Sequence, residues 1–297
     1  MDINDINRFL SENKAVEIKT GMSGAKVYDI NDELILKYIT RDSVDAGVFD
    51  TYSREALFYR MKTAERCGYI PEVLMAEVDD EKIVLLMNKY DHPVRSSDEE
   101  TICAVMTALA RIHADRRTVD THDTAKLPSD AEIQQYADGW RSVLGEHDGF
   151  DAGSIGSIAK RISGIAVWHD TEKKVLVHGD FHWDNLLVSK SGEMVVCDWQ
   201  GVTVGGASGD ISFFISRSEA DGLPLDTDMV LGCYCRAYEA LTGEHTDAAV
   251  IKRHMAAANV MTSFMFWHNF LHGNSRERVA GVLDRMTADC EECIKIF

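Results

Sequence analysis

The sequence contains no hydrophobic run long enough to cross a bilayer. Its longest apolar stretches, such as residues 83 to 87 and 261 to 267, are short or interrupted, whereas a membrane-spanning helix needs about 20 apolar residues. The first eight residues are polar and acidic and do not resemble a secretory signal, which is basic and then apolar. We therefore expect a cytoplasmic protein that does not act at a membrane.

Positive charge is also scarce. The chain has 31 lysine and arginine residues against 49 aspartate and glutamate residues, a formal net charge of −18 at pH 7. Nucleic acids and anionic membranes bind to positive surfaces, so both classes of partner are disfavoured. A cationic substrate would suit this charge, but the excess is spread evenly along the chain and marks no site.

Cysteine is not arranged as in a disulfide scaffold. There are seven cysteines, an odd number in a chain with no export signal, and this favours reduced thiols. Cys233 and Cys235, together with Cys290 and Cys293, could form a four-thiolate zinc site. Both pairs lie in helical stretches without the glycine-bearing turns of zinc knuckles, so packed thiols are the better interpretation.

Residues 175 to 188 combine apolar ends with a polar middle. The ends are rich in β-branched residues, as strands require, and the middle is polar and contains glycine, as a loop requires. Loops on a rigid scaffold often carry catalytic groups, and this loop carries Asp180 and Asn185. A second short strand, 194 to 197, follows a polar turn and ends at Asp198. Pairing of the two strands would bring Asn185 and Asp198 to the same end.

The spacing of these polar residues is specific. His178, Asp180 and Asn185 have the H-x-D-x-x-x-x-N spacing of the protein-kinase catalytic loop, and Asp198 stands where that family has a second metal-binding aspartate. The His-Gly-Asp opening resembles the aminoglycoside phosphotransferase family and its choline-kinase-like relatives, which phosphorylate small molecules on a kinase-like fold. The resemblance implies that Asp180 is the catalytic carboxylate. It also implies that Asn185 and Asp198 are ligands of Mg²⁺.

Two other interpretations of this loop compete with the kinase-like one. His178 and His182 are four residues apart, as in metal sites built on one face of a helix. Gly179 and the flanking strand pattern argue against such a helix. The other alternative is a chance polar turn, which the rest of the chain tests.

A turn of small residues separates the first two predicted strands, 16 to 20 and 25 to 30. Small residues let backbone N–H groups approach phosphates closely. Taken alone, the motif favours an ordinary hairpin turn. The family resemblance assigns Gly21, Ser23 and Gly24 to nucleotide binding.

Lys37 stands among the apolar residues of a third predicted strand, 33 to 39, where an unpaired lysine is costly. Kinase-like folds place their phosphate-binding lysine on this strand and pair it with a helix glutamate. The next predicted helix, about 45 to 67, carries Glu55 at the border of its buried stripe. The order of these elements favours a pair of Lys37 and Glu55 over a solvated glutamate.

The predicted fold class is α+β. Two more strands, 73 to 77 and 82 to 87, would complete a five-stranded antiparallel sheet. The resemblance implies a bilobal protein-kinase-like fold. Its N-terminal nucleotide-binding lobe (1–90) would contain the sheet and one main helix. Its larger, mainly helical C-terminal lobe (91–297) would be catalytic and bind the substrate.

Several features of the second lobe are also predicted. His113 is expected to be a core histidine. Asp210 stands at a helix N-cap position and resembles the aspartate that braces the catalytic loop in kinase-like folds, so it is expected to be structural. The resemblance implies that a helical insertion, about 130 to 170, helps to form the acceptor site. Amphipathic helices are predicted near 226 to 241, 247 to 271 and 275 to 296. Candidates for the acceptor pocket are Phe266, Trp267, His268, Glu291 and Glu292, although core packing or a solvated face explains them equally well.

The resemblance implies transfer of the γ-phosphoryl group of ATP, or of GTP, to a hydroxyl group of a small polar acceptor such as an aminoglycoside. Lys37 would orient the phosphates while Mg²⁺ offsets their charge. Asp180 would accept or steer the proton of the acceptor hydroxyl.

Three alternatives stay open. A metabolic kinase of the choline or ethanolamine type would carry the same residues. A pseudokinase would bind nucleotide without turnover, but its usual signature is a missing lysine, base or metal ligand, and all are present here. A protein kinase is disfavoured because no Ala-Pro-Glu segment follows the second aspartate. Oligomeric state has no signature in the sequence.

Overall fold

The computed structural model describes residues 6–18, 25–65, 67–115, 127–151 and 153–294. The strands are β1 (Ala15–Ile18), β2 (Lys26–Ile30), β3 (Leu34–Thr40), β4 (Val73–Val78), β5 (Lys82–Asn88), β6 (Lys174–Val177), β7 (Leu186–Val188), β8 (Met194–Val196) and β9 (Thr203–Gly206). The helices are α1 (Ile6–Glu12), α2 (Ala46–Ala64), α3 (Glu99–His113), α4 (Asp130–Leu144), α5 (Gly153–Ala159), α6 (Ile162–His169), α7 (Ala207–Ala220), α8 (Thr227–Thr242), α9 (Ala248–Thr262), α10 (His268–Leu271) and α11 (Arg276–Ile294). Among them, none is both long and apolar enough to span a membrane.

The first five strands form one antiparallel sheet in the order β1-β2-β3-β5-β4. On one face, Ile30, Leu36 and Val84 pack with Ile6 of α1. β5 is buried along nearly its whole length, which explains why it reads as a continuous apolar run rather than an alternating one. The five strands predicted from the sequence are confirmed, and β3 lies in the middle of the sheet, where it carries Lys37.

Helix α2 packs against β3, β4 and β5. Tyr52, Ala56 and Tyr59 are buried, as the predicted stripe requires. Glu55 lies on the same buried side and is only 1% exposed. A carboxylate at this depth is stable only with a partner, because burial removes its hydration.

The chain divides into two compact units. The first comprises residues 1–115, 178–203 and 213–243, and the second comprises 116–177, 204–212 and 244–297. The lobe boundary near residue 90 falls inside the first unit and stays a prediction.

In the first unit, α3 packs along α8. His113 is buried, and its Nδ1 lies 2.9 Å from the Tyr234 hydroxyl, so the predicted core histidine is confirmed. Cys103 and Cys233 form a disulfide between the two helices. The expectation of reduced thiols is therefore wrong for this pair, because residues 130 positions apart in the chain meet only through helix packing. Cys233 is consequently not available to a four-thiolate zinc site.

In the second unit, α4, α5, α6, α9 and α11 surround a hydrophobic core, to which Trp140 and Phe264 contribute. The predicted helical insertion is present as α4 to α6. The long helix predicted up to residue 271 is interrupted by a π-helical turn, Ser263–Trp267. The Trp140 indole N–H donates to the Phe264 carbonyl within this turn at 3.1 Å.

Asp210 is not a helix N-cap, because α7 begins three residues earlier, at Ala207. The N–H group of Ser208 instead donates to the carboxylate of Glu172 at 2.9 Å. Glu172, which lies 36 positions before Ser208 in the chain, thus caps the start of the helix, a role that the sequence assigns to Asp210. Asp210 itself is buried in the first turn of the helix.

Candidate active site

The loop between β6 and β7 begins with a fully buried histidine. His178 Nε2 donates to the carbonyl oxygen of Cys197 at 2.9 Å, and its Nδ1 accepts the N–H of Asp180 at 3.2 Å. Both ring nitrogens are thus used to hold the loop against the end of β8. The alternative in which His178 and His182 bind a metal together is therefore excluded.

Asp180 lies on this loop with its side chain 45% exposed. Its Oδ2 is 3.5 Å from His182 Nε2 and accepts a hydrogen bond from the Asn185 amide at 3.2 Å. The hydrogen bond from His182 is the main reason why the pKa of Asp180 lies below its usual range. The carboxylate is therefore ionised at neutral pH and accessible to a substrate.

Strands β7 and β8 pair with Leu186 opposite Val196. The N–H of Cys197 continues the ladder by donating to the Asn185 carbonyl at 2.9 Å. Asn185 and Asp198 therefore lie at the same end of the pair, as the sequence predicts. This is a direct consequence of the short turn between the two strands.

Asp198 has left-handed backbone angles, φ 65° and ψ 63°, which are uncommon for a residue other than glycine and often mark functional sites. Its N–H donates to the Tyr59 hydroxyl at 3.2 Å, and its Oδ1 accepts from Gln200 at 2.6 Å. Trp199 anchors the segment by stacking on Phe58 of α2. These contacts orient the carboxylate of Asp198 toward Lys37 on the five-stranded sheet.

Lys37 reaches this carboxylate from β3. Its ammonium donates to Glu55 at 2.8 Å and to Asp198 at 2.9 Å, and lies 4.5 Å from the centre of the Tyr52 ring. Burial alone would lower the pKa of Lys37, but the two carboxylates raise it above its usual value, so the lysine is charged. Burial raises the pKa of Glu55 to about 7, against the opposing effect of Lys37. The predicted lysine and glutamate therefore lie in contact.

Two glycines allow the catalytic loop to cross the segment after Asp198. Gly179 has φ 81°, and a Cβ built on it would overlap the carbonyl oxygen of Gly201. A Cβ on Gly201 would in turn lie 3.1 Å from the His178 carbonyl oxygen. The glycine of the His-Gly-Asp motif is thus required both by its backbone angles and by close backbone approach.

The donor chemistry at the end of β7 and β8 fits Mg²⁺, which prefers oxygen ligands. The Asn185 amide nitrogen donates to the Asp180 carbonyl at 2.8 Å, so the amide oxygen is the atom that remains for a cation. Burial would raise the pKa of Asp198, but the Lys37 ammonium holds it below its usual range, so this carboxylate is ionised. Asn185 and Asp198 are therefore the residues that would hold the ion.

The other predicted site residues are either not described or lie in the second unit. Gly21, Ser23 and Gly24 lie outside the residues that the structure describes. Among the acceptor candidates, Phe266 is 52% exposed on the π-helical turn, whereas His268 is buried. Both lie in the second unit.

Sequence reasoning missed several residues that contact the cluster. The sequence suggests His182 only as a metal ligand, although its position two residues after Asp180 places it within reach of that carboxylate. Tyr52 lies three residues before Glu55 and Tyr59 four residues after it, a spacing that predicts core residues, and both are indeed buried. Gln200 had no signal in the sequence, because its hydrogen bond to Asp198 depends on the turn after β8.

The chain matches one protein-family model and is similar to several solved structures. The model of the phosphotransferase enzyme family matches residues 15–248, whereas no curated protein matches the chain. The ADP-bound aminoglycoside phosphotransferase APH(2'')-Ib is 17% identical, with a TM-score of 0.62 over 99% of both chains. A ternary complex of streptomycin, ATP and APH(2'')-IIa is 16% identical, with a TM-score of 0.59 over 99% of this chain and 98% of the other. The choline kinase of Cryptosporidium parvum Iowa II is 10% identical, with a TM-score of 0.58 over 96% of this chain and 90% of the other.

At these identities, likeness to solved structures establishes the fold, which is the bilobal kinase-like fold predicted from the sequence. The family model covers most of the chain, including the strand of Lys37, the helix of Glu55 and the loop of Asp180. The protein therefore belongs to the phosphotransferase enzyme family.

Proposed function

We propose that this phosphotransferase is a kinase that moves the γ-phosphoryl group of ATP to a hydroxyl group of a small polar acceptor. The position of Lys37 carries the proposal. Its ammonium group is held between Glu55 on α2 and Asp198 after β8, at 2.8 and 2.9 Å. In kinases, a charged lysine beside a carboxylate that binds Mg²⁺ positions the phosphates of the nucleotide.

The nucleotide would be bound from the sheet side of the cluster. Lys37 would bind phosphate oxygens as a point charge, and Glu55 would keep the lysine oriented. Backbone N–H groups of Gly21, Ser23 and Gly24 are proposed to contact the phosphates. ATP is the first choice of donor because two of the similar structures were solved with ADP or ATP, and GTP is the alternative.

Asn185 and Asp198 are proposed to hold Mg²⁺, which when bound offsets negative charge on the phosphates. Asp180 has the complementary role toward the acceptor. Its ionised and accessible carboxylate can orient the attacking hydroxyl group and accept its proton. The Asn185 amide supports this role by donating to Asp180.

The acceptor is proposed to be a hydroxylated amine. Similar structures contain gentamicin or streptomycin, and others are choline or ethanolamine kinases. Such amine-bearing compounds suit a chain with a net charge of −18. Aminoglycosides are the first candidates, and a metabolic kinase for choline or ethanolamine is the alternative.

Transfer of labelled phosphate from γ-labelled ATP and GTP would test the proposal. The acceptor panel should contain aminoglycosides, macrolides, choline and ethanolamine. We expect Mg²⁺-dependent labelling of one class of hydroxylated amine. Nucleotide binding without transfer to any acceptor would instead indicate a pseudokinase.

Asp180→Asn tests the assignment of the base. Because general bases typically contribute ~10²- to 10⁴-fold to the rate, kcat should fall at least roughly 100-fold while the Kd for nucleotide stays nearly unchanged. Glu193→Gln is the matched control, since this carboxylate is exposed in the turn between β7 and β8. Full activity of Asp180→Asn would contradict the proposed mechanism.

A further inference from the structure

A second group of possible metal ligands lies in the second unit and has no part in the proposed phosphoryl transfer. It consists of His169 at the end of α6, Glu172 in the turn that follows, and His254 in α9. One ligand atom from each residue can be chosen so that all lie within 4.8 Å of one another. The first two are three residues apart, and the third is brought in by the packing of α6 against α9.

Both histidines carry a buried nitrogen without a hydrogen-bond partner. His254 is 4% exposed, its ring stacks on Trp168 at 3.9 Å, and its Nδ1 is unpartnered. The Nδ1 atom of His169 is likewise buried and unpartnered, 3.9 Å from Glu172 Oε2. A buried polar atom without a partner is unfavourable, and two in one cluster call for a shared ligand.

The carboxylate of Glu172 is held in place by residues outside the cluster. Its Oε1 accepts the N–H of Ser208 at 2.9 Å, and its Oε2 accepts the Ser208 hydroxyl at 2.6 Å. A Cβ on Gly206 would overlap Oε2, so a glycine leaves space for the carboxylate. A carboxylate oxygen has two lone pairs, so it can accept a hydrogen bond and coordinate a metal ion at the same time. Such hydrogen bonds to a ligand are typical of metal sites.

The protonation of the cluster suits coordination. Burial lowers the pKa of His169 and lowers that of His254 to about 4, so both rings are neutral at pH 7. Two cations lie nearby: Lys174, which is paired with Asp170 at 2.8 Å, and Arg253. They weaken the attraction for a dication, so the imidazole nitrogens must supply most of the binding.

We infer that His169, Glu172 and His254 bind one divalent transition-metal ion of the zinc class. Two imidazole nitrogens and one carboxylate suit such ions, whereas Mg²⁺ prefers oxygen ligands throughout. Zinc bond lengths place tetrahedral ligand atoms roughly 3.4 Å apart, so ligand atoms that lie within 4.8 Å of one another approach by at most about 1.4 Å around the ion. The ion would tie the end of α6 to α9, and the partly exposed side of His169 gives it an entry path.

The test uses untagged full-length protein that has been treated with a chelator and returned to buffer containing excess Mg²⁺. Titration with Co²⁺, followed by visible absorption and calorimetry, should reveal one strong site per chain. Loss of a ligand in His254→Gln should weaken Co²⁺ binding by more than roughly tenfold. His272→Gln, which removes an exposed imidazole paired with Glu146, should bind like the wild type.

Two results would overturn the inference. One is equal Co²⁺ affinity in the wild type and His254→Gln. The other is sulfur-to-metal charge-transfer absorption, which would assign the ion to free cysteines. If His254→Gln does not fold, His169→Gln replaces it, because that side chain is more exposed. Zn²⁺ should also raise the Tm of the wild type but not that of either ligand variant.

Discussion

His182 lies between two carboxylates of the catalytic loop. Its Nε2 is 3.5 Å from Asp180 Oδ2, and its Nδ1 is 3.5 Å from Asp184 Oδ2. Its contact with Asp180 is the main cause of the lowered pKa of that carboxylate. We therefore regard His182 as a positioning residue for the proposed base.

His182→Ala should raise the pKa of Asp180 toward its ordinary value. The acid limb of the pH profile of kcat/KM should move to higher pH, and the loss of kcat near pH 7 should stay well below the ~100-fold expected for Asp180→Asn. His182→Gln, which can still donate to Asp180, should restore part of the profile. An unshifted acid limb in His182→Ala would contradict this role.

The raised pKa of Glu55 predicts how the stability of the protein depends on pH. Its pKa of about 7 in the folded protein lies above that of an unfolded glutamate. Between these values the folded state binds a proton that the unfolded chain does not, so the stabilisation is present at low pH and is lost as pH rises through 7. From pH 5 to 7 the free energy of unfolding of the wild type should fall, relative to Glu55→Gln, by about 1 kcal/mol or more.

Denaturant unfolding at several pH values measures this difference. Glu77→Gln removes an exposed carboxylate of β4 and serves as the matched control. A difference between wild type and Glu55→Gln that does not change with pH would show that the pKa of Glu55 is not raised.

The loop that carries Asp180 crosses the segment after β8 with close contact between the two backbones, which leaves no room for a side chain at Gly179. Gly179→Ala places a Cβ against the backbone of Gly201, which cannot move aside as a flexible side chain would. We expect a displaced loop, a lower Tm and a loss of kcat of at least roughly tenfold, because small misplacement of catalytic groups is costly.

Gly192→Ala is the control that separates the effect of the steric clash at Gly179 from the effect of a positive φ angle. Gly192 also has a positive φ, 85°, but a Cβ there meets no atom within 4 Å. It should lower the Tm modestly, by the cost of a left-handed alanine, and leave kcat unchanged. Equal effects of the two substitutions would show that the crossing is not tightly packed.

The disulfide between α3 and α8 is a property of the whole first unit, since it closes a loop of 130 residues. The protein purified without reductant should show five reactive thiols in denaturant, and seven after reduction. Reduction should lower the free energy of unfolding by about 2–4 kcal/mol, mainly because the unfolded chain gains freedom.

The Cys103→Ala/Cys233→Ala variant is the control for this measurement. It should show five thiols under both conditions, and reductant should not change its stability. Seven thiols in unreduced wild-type protein would show that the two cysteines are not bonded.

At the level of elements, much of the molecule was predictable. Alternating or continuously apolar segments bounded by turn residues predict β1 to β5, and the polar turn between β7 and β8 predicts that Asn185 and Asp198 share one end. Helix boundaries were less predictable, because α7 begins at Ala207 through the help of Glu172 rather than through a local cap. A cap supplied by a distant side chain leaves no local pattern.

The sequence by itself determined the loop of Asp180 and Asn185, its position before the strand that ends at Asp198, and the order of lysine strand and glutamate helix, because these depend on spacing within short segments. Only the tertiary structure brought Lys37 to Asp198, 161 residues away, and Cys103 to Cys233. It also brought together His169, Glu172 and His254, and each of the two histidines has a ring nitrogen without a hydrogen-bond partner. Contacts of this kind arise from the packing of whole elements, whose combined free energy cannot be read from any one segment of the chain.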